Sequence, residues 1–112
     1  MGVKQLKPRI KLTIETPRSQ GGPAFGPGIA ALCEGVRETG SLNAAAKRMG
    51  MAYSKAWRVI RDTEEALGFA LLDRDGAHGS TLTKNGDKLL NTYRELQAIV
   101  QNQAEASFKE II

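Results

Sequence analysis

A mainly α fold with a small β component is predicted by three features of the sequence. The segment Gly40 to Gly68, GSLNAAAKRMGMAYSKAWRVIRDTEEALG, carries two helical patterns separated by a single glycine. FALLDRDGAHGSTLT follows, two short apolar runs around a glycine-bearing turn, and Lys84 to Ile112 then keeps helical spacing. Two helices on a tight turn, a hairpin and a long closing helix make a winged helix-turn-helix. Of 112 residues 41% are hydrophobic and 25% charged, which is the balance of an ordinary globular domain rather than a disordered or membrane chain. Residues 1–82 are expected to form the winged helix-turn-helix domain, with strand and loop at 9–28, helix-turn-helix at 41–67 and wing at 69–82. Residues 83–112 then form a C-terminal linker and dimerisation helix.

Arg9 to Thr16 alternate, with Ile10, Leu12 and Ile14 on one face and Arg9, Lys11, Thr13 and Glu15 on the other, the pattern of a half-buried strand. Pro17 ends it. RSQGGPAFGPG, Arg18 to Gly28, has too many glycines and prolines for either regular state and reads as a loop. It lacks the GKS or GKT ending of a phosphate-binding loop, and no GxGxxG follows the strand.

A first helix is predicted from Pro27 to Glu38, with Ile29, Leu32, Cys33 and Val36 at the spacing of one buried stripe. Gly40 closes it. Ser41 caps a second helix, Leu42 to Met49, because its hydroxyl satisfies an otherwise unpaired N–H of the first turn. Ala44, Ala45 and Ala46 favour the helix and let a neighbour approach closely. Gly50 supplies the positive φ of the inter-helix turn, and Met51 plugs the core between the helices. The third helix opens at Ala52 or Tyr53. Its packing stripe is Ala56, Ile60, Thr63 and Leu67, while Ser54, Lys55, Arg58 and Arg61 lie largely away from that stripe. Trp57 borders both faces, so packing and contact roles stay open for it.

The wing tip contains Gly76, His78 and Gly79, with Arg74 at its base and Ser80 opening the returning strand. Arg74, His78 and Ser80 are the candidate wing contacts, within reach of a minor groove or a backbone phosphate. A solvated role for the lone His78 stays open, and its neighbours offer no metal-ligand set. Thr83 caps the last helix, in which Leu89, Tyr93, Leu96 and Val100 are spaced 4, 3, 4, and Ala104, Phe108 and Ile111 continue after a phase shift. Such a helix exposes apolar surface unless a second copy covers it, which makes Leu89, Tyr93, Leu96, Val100 and Phe108 the expected dimerisation contacts. The alternative is a helix folded back on the first one.

Between Ala44 and Arg61 stand Lys47, Arg48, Lys55, Arg58 and Arg61 and no acid, so the net charge of +4 is contained in this stretch. Clustered cations displace the counterions condensed on a phosphate backbone, which points to a polyanion; a solvated charged face is the bland alternative. Other functions find less support. Cys33, the single cysteine, lies in an apolar helical stretch, which excludes an intrachain disulfide framework. With one histidine, no metal cluster and no nucleophile motif, neither an enzyme nor a cofactor is expected. The first residues, MGVKQLKPRIK, lack the apolar core of a secretory signal, and no run approaches a membrane span, so a cytoplasmic location is expected.

The run SLNAAAKRMGMAYSKAWRVIRDTEEALGFALLDRDGAHGSTLTKNGDKLL resembles the winged helix-turn-helix head of LysR-type regulators. The shared elements are SLNAAAKRMGM, the block IRDTEEALGFALLDR leading into the wing, and STLTKNGDKLL opening the final helix. Within that superfamily AYSKAW is closer to the molybdate-responsive ModE regulators, since LysR proteins usually have a proline in this stretch. The N-terminal strand and loop fit LysR proteins less well, as these begin almost directly at the first helix. The resemblance spans about Gly28 to Tyr93 and implies sequence-specific binding of double-stranded DNA by a homodimeric regulator, with the last helix as the dimer contact. Both families attach a larger effector-binding domain after that helix, which residues 1–112 do not include, so molybdate or other effector sensing is not carried over.

As in related winged helices, the third helix would enter the major groove. Tyr53, Ser54, Lys55 and Arg58 are the candidate base contacts, and the planar fork of Arg58 suits the two acceptors of guanine. Arg61 is assigned to phosphate, as are Ser41 and Asn43 at the start of the second helix, with Lys47 and Arg48 adding charge. Two copies would meet a palindromic operator. A protein-interaction module with the same fold but no sequence-specific DNA binding is the alternative, supported by Asp62, Glu64, Glu65, Asp73 and Asp75, acids that would repel a misplaced DNA backbone.

Overall fold

A computed structural model describes residues 1–19, 24–74 and 79–112. Its elements in chain order are α1 (Pro27–Thr39), α2 (Leu42–Arg48), α3 (Tyr53–Leu67), β1 (Leu72–Arg74), β2 (Ser80–Leu82) and α4 (Lys84–Ile111), with single 3-10 turns at Val3–Gln5 and Pro17–Ser19. The ends follow the local chemistry expected of them. Pro27 sits in the first turn of α1, where its missing N–H costs nothing. The Ser41 hydroxyl accepts from the Ala44 N–H at 3.1 Å, and Thr83 accepts from the Gly86 N–H at 2.9 Å. Between α2 and α3 the chain turns on Gly50 at φ 65°, a conformation that side-chain-bearing residues rarely adopt.

The three helices of the head share one core. Leu32, Cys33 and Val36 of α1, Leu42, Ala45 and Ala46 of α2, and Ala56 and Ile60 of α3 are all buried, with Met51 and Leu67 packed against them. Each large apolar side chain so buried contributes about 1.5–3 kcal/mol. The alanines of α2 have a specific role: a Cβ placed on Gly35 of α1 would lie 2.6 Å from the Cβ of Ala45. The two helices therefore touch almost backbone to backbone. Burial pushes the Cys33 thiol up to about 12, only partly offset by Arg37, so the buried sulfur stays neutral.

The wing is an antiparallel pair with Leu72 opposite Leu82, Asp73 opposite Thr81 and Arg74 opposite Ser80. Both of its strands are tied down. Glu64 of α3 accepts from the amides of Leu71 (2.6 Å) and Leu72 (3.2 Å), and the Ser80 amide donates to the Gly40 carbonyl at 2.9 Å. Glu64 is thus committed to the wing root.

Two expectations need correction. Arg9 to Thr16 is not a strand: it is an extended arm with one isolated bridge, Ile14 to Phe25. The alternation survives in part, since Leu12, Ile14 and Thr16 are half-buried while Arg9, Lys11, Thr13 and Glu15 are exposed, but Ile10 is exposed as well. Ile14 pairs with the backbone of Ala24 and Phe25, and toward its start the arm meets side chains of α4 in place of a sheet edge. Gln101 accepts from the Ile10 amide and donates to the Pro8 carbonyl, both at 2.8 Å, and the Tyr93 hydroxyl donates to the Leu12 carbonyl at 2.7 Å.

The second correction follows from that last bond. Tyr93, expected at a dimer contact, is fully buried within its own chain, edge-on to Phe25 at 5.1 Å between ring centroids. Phe25, from the stretch expected to be only loop, supplies the apolar partner that draws the tyrosine inward. The inward stripe of α4 is Gly86, Leu90 and Tyr93, and half-buried Leu89 packs at its edge. Leu96 and Ile99, 39% and 57% exposed, lie on another face.

Candidate nucleic-acid interface

The packing stripe of α3 leaves its opposite face to solvent. Tyr53, Ser54, Lys55, Arg58 and Arg61 are all exposed there, and the spacing of Ser54, Arg58 and Arg61 puts these three along one line of the helix. Lys55, Arg58 and Arg61 form no ion pair among the described residues, and neither does exposed Lys47. Their charge is therefore available to an external anion.

The helix start meets the wing in a cleft of about 560 Å³ lined by Ser41, Leu42, Asn43, Tyr53, Arg74, Gly79 and Ser80. Four sequence candidates from different elements converge here with Tyr53: Ser41 and Asn43 from the start of α2, Arg74 and Ser80 from the hairpin. The Arg74 guanidinium donates to the Tyr53 hydroxyl at 2.6 Å and lies over the Trp57 ring, 3.8 Å from its centroid. Trp57, left open between two roles by its sequence position, is half-buried: it packs against the core and carries Arg74 on its ring. Its spacing from Tyr53 signalled the shared helix side, but only the hairpin register brings Arg74 over both.

Other candidates are placed differently. Lys47 and Arg48 are in the last turn of α2, away from Ser41 and Asn43 at its start, where they complement the negative end of the helix dipole. Arg48 is paired with Glu38 of α1, so its charge is partly spent within the chain. The hydroxyl of Ser41 is spent as the cap of α2, while the Asn43 side chain is exposed. Ser80, a candidate wing contact, is buried, because its strand leans on the α1–α2 turn just where the hairpin returns opposite Arg74. His78 lies outside the described residues.

A second basic stretch was hidden in the sequence by the net charge. Lys4, Lys7, Arg9 and Lys11 occur with no acid in residues 1–14. The whole-chain balance hides them because acids elsewhere offset them, and the arm that carries them runs along α4 at Gln101 and Glu105. Among the described residues no group of His, Cys, Asp and Glu could hold a metal ion, and no helix is long and apolar enough to cross a membrane.

Residues 31–87 match the family described as bacterial regulatory helix-turn-helix protein, lysR family. The transcriptional regulator ModE of Yersinia pestis is 33% identical over 84 residues, which cover 71% of this chain and 32% of that protein. The chain therefore spans about a third of that curated relative. Among solved structures, the CbnR_DBD–DNA complex superposes with a TM-score of 0.62 at 26% identity, covering 75% of this chain and 95% of the other. ArgP from Mycobacterium tuberculosis gives 0.57 at 31% identity, covering 77% of this chain and 31% of that one. The family match begins at residue 31, after the N-terminal arm.

Proposed function

This chain belongs to the lysR family of bacterial regulatory helix-turn-helix proteins, and from that premise we propose that it is the operator-reading part of a dimeric transcriptional regulator acting in the cytoplasm. Its head is a DNA-binding winged helix. The observation that carries the assignment of roles is the exposed side of α3 from Tyr53 to Arg61, which holds three cations and no acid and begins beside the wing. A helix of this diameter fits the major groove, where the first half of α3 meets base edges. Tyr53, Ser54, Lys55 and Arg58 are assigned to bases, with Arg58 on guanine. Arg61 and Lys47 are assigned to phosphates, and so is Asn43, which lines the cleft at the other end of α2 from Lys47. Arg48 contributes less than Lys47, since Glu38 already holds it.

Residues 1–82 act as the reading domain and 83–112 as the linker. For the dimer we assign the face of α4 that the arm leaves uncovered. Leu89, Leu96, Ile99 and Ala106 fall in one heptad frame, with polar Thr92 and Gln103 at its two intervening positions and half-buried Val100 alongside. Tyr93 is withdrawn from that interface, and Phe108 lies by the arm, lining a pocket with Leu6 and Pro8.

Selection of bound fragments from random duplex DNA tests the function, with a palindromic consensus as the expected result. Arg58→Ala is expected to cost about 1–3 kcal/mol on that consensus and to relax preference at one base pair. Equal weakening on every duplex would demote Arg58 to a phosphate contact.

A further inference from the structure

We propose that Arg74 and Tyr53 act as one specificity element, in which Arg74 fixes the Tyr53 hydroxyl as a hydrogen-bond donor aimed at an acceptor on a base edge. The inference rests on the reading of α3 as the helix in the major groove and goes further, naming the kind of base atom one side chain recognises. A free tyrosine hydroxyl both donates and accepts, so by itself it does not discriminate between a base carbonyl and a base amino group. Here that ambiguity is removed. Guanidinium has donors only, so the 2.6 Å contact between Arg74 and Tyr53 must run from nitrogen to the phenol oxygen, wherever the hydroxyl proton points. The accepting side of the hydroxyl is occupied and its O–H remains to be donated. No other hydrogen bond of that hydroxyl exists among the described residues.

The charge works in the same direction. A cation on the phenol oxygen makes its O–H a stronger donor and disfavours the approach of another N–H. In the major groove, guanine O6 and N7, adenine N7 and thymine O4 are acceptors, whereas the amino groups of cytosine and adenine are donors. The element therefore favours the former and penalises the latter. Its geometry is held from both sides. Trp57, one turn after Tyr53, supports the guanidinium at 3.8 Å, and the pairing of Arg74 with Ser80 anchors the arginine in the hairpin. Lysine cannot reproduce a planar group that stacks and donates at once. Arg74 is thus a positioning residue for a base contact made by Tyr53.

The experiment uses the whole chain, the duplex selected from random DNA, a set of single-base-pair replacements, and a set with one phosphate at a time replaced by methylphosphonate. Tyr53→Phe removes the hydroxyl at an exposed position. It is expected to weaken the selected duplex about five- to tenfold, the weight of one hydrogen bond, and to abolish the preference at a single base pair while leaving the others intact. Arg74→Lys keeps the charge, so the salt slope should stay unchanged while preference falls at that same base pair. Three outcomes overturn the proposal: a loss in Tyr53→Phe that is reproduced by one methylphosphonate, which places the hydroxyl on phosphate; equal affinity of Tyr53→Phe and the parent on all duplexes; or full preference retained in Arg74→Lys. Should the parent chain select no duplex, the groove reading itself fails and this inference with it. A parent that selects a consensus unaffected by Tyr53→Phe removes only the inference.

Discussion

The head and the far half of α4 are stabilised in opposite ways. In the head, helices α1 and α2 meet at Gly35 and Ala45 with no room for another carbon, and the apolar side chains around them are buried. Beyond Tyr93, α4 has no buried residue, and it is tied to the arm by Gln101 and by the pair between Lys7 and Glu105. The Gln101 amide, and Lys7 beside it, hold the Glu105 carboxyl below its usual range. Exposed polar ties of this kind each contribute little net stability. The contrast teaches that the head is held by close packing, whereas the far half of α4 is only guided, with one face strapped by the arm and Leu96 and Ile99 exposed on another.

The strongest way to break this contrast is at the residue where the two regions meet. Tyr93→Ala should destabilise the single chain by about 3–5 kcal/mol in urea unfolding, as expected when a large buried aromatic is removed. A near-neutral change accompanied by loss of dimer would restore Tyr93 to the interface. Gly35→Ala comes next: the new methyl collides with Ala45, and a cost of about 1–3 kcal/mol is expected from forced separation of the helices. If instead the variant gains stability, as the better helix propensity of alanine would give in open space, the α1–α2 contact is looser than described.

Smaller effects sharpen the other side. Gln101→Ala should cost about 1 kcal/mol, with faster amide hydrogen exchange at Ile10, because one side chain serves two backbone groups of the arm. Protection at Ile10 equal to that of the parent would mean the arm is held by other contacts. Ile99→Asp should change single-chain stability by no more than about 0.5 kcal/mol, as for an exposed position, yet shift sedimentation from dimer to monomer. Dimers that persist would move the seam away from the Leu96 and Ile99 face.

Much of the head was legible from residues alone because its signals are local. A serine before an alanine-rich run, a glycine between two periodic patterns, and a threonine ahead of a long helix each act within one turn of chain, and each sits where expected. The exposed line of Ser54, Arg58 and Arg61 was legible for the same reason, since the 3.6-residue period fixes which side chains oppose the buried stripe. The arm was misread because alternation shows which side chains face inward, not what meets the backbone. A strand needs a neighbouring edge, and here the helix side chains Tyr93 and Gln101 stand in its place.

The sequence by itself determined the order of the elements, their caps and the basic face of α3, all consequences of interactions spanning a few residues. Only the tertiary structure decided that Phe25 turns Tyr93 inward and that Glu64 is committed to the wing root. It also decided that Arg74 rests on Trp57 while it holds Tyr53. The reason is physical: these contacts join residues from separate elements, and periodicity along one element carries no information about which neighbour will pack against it.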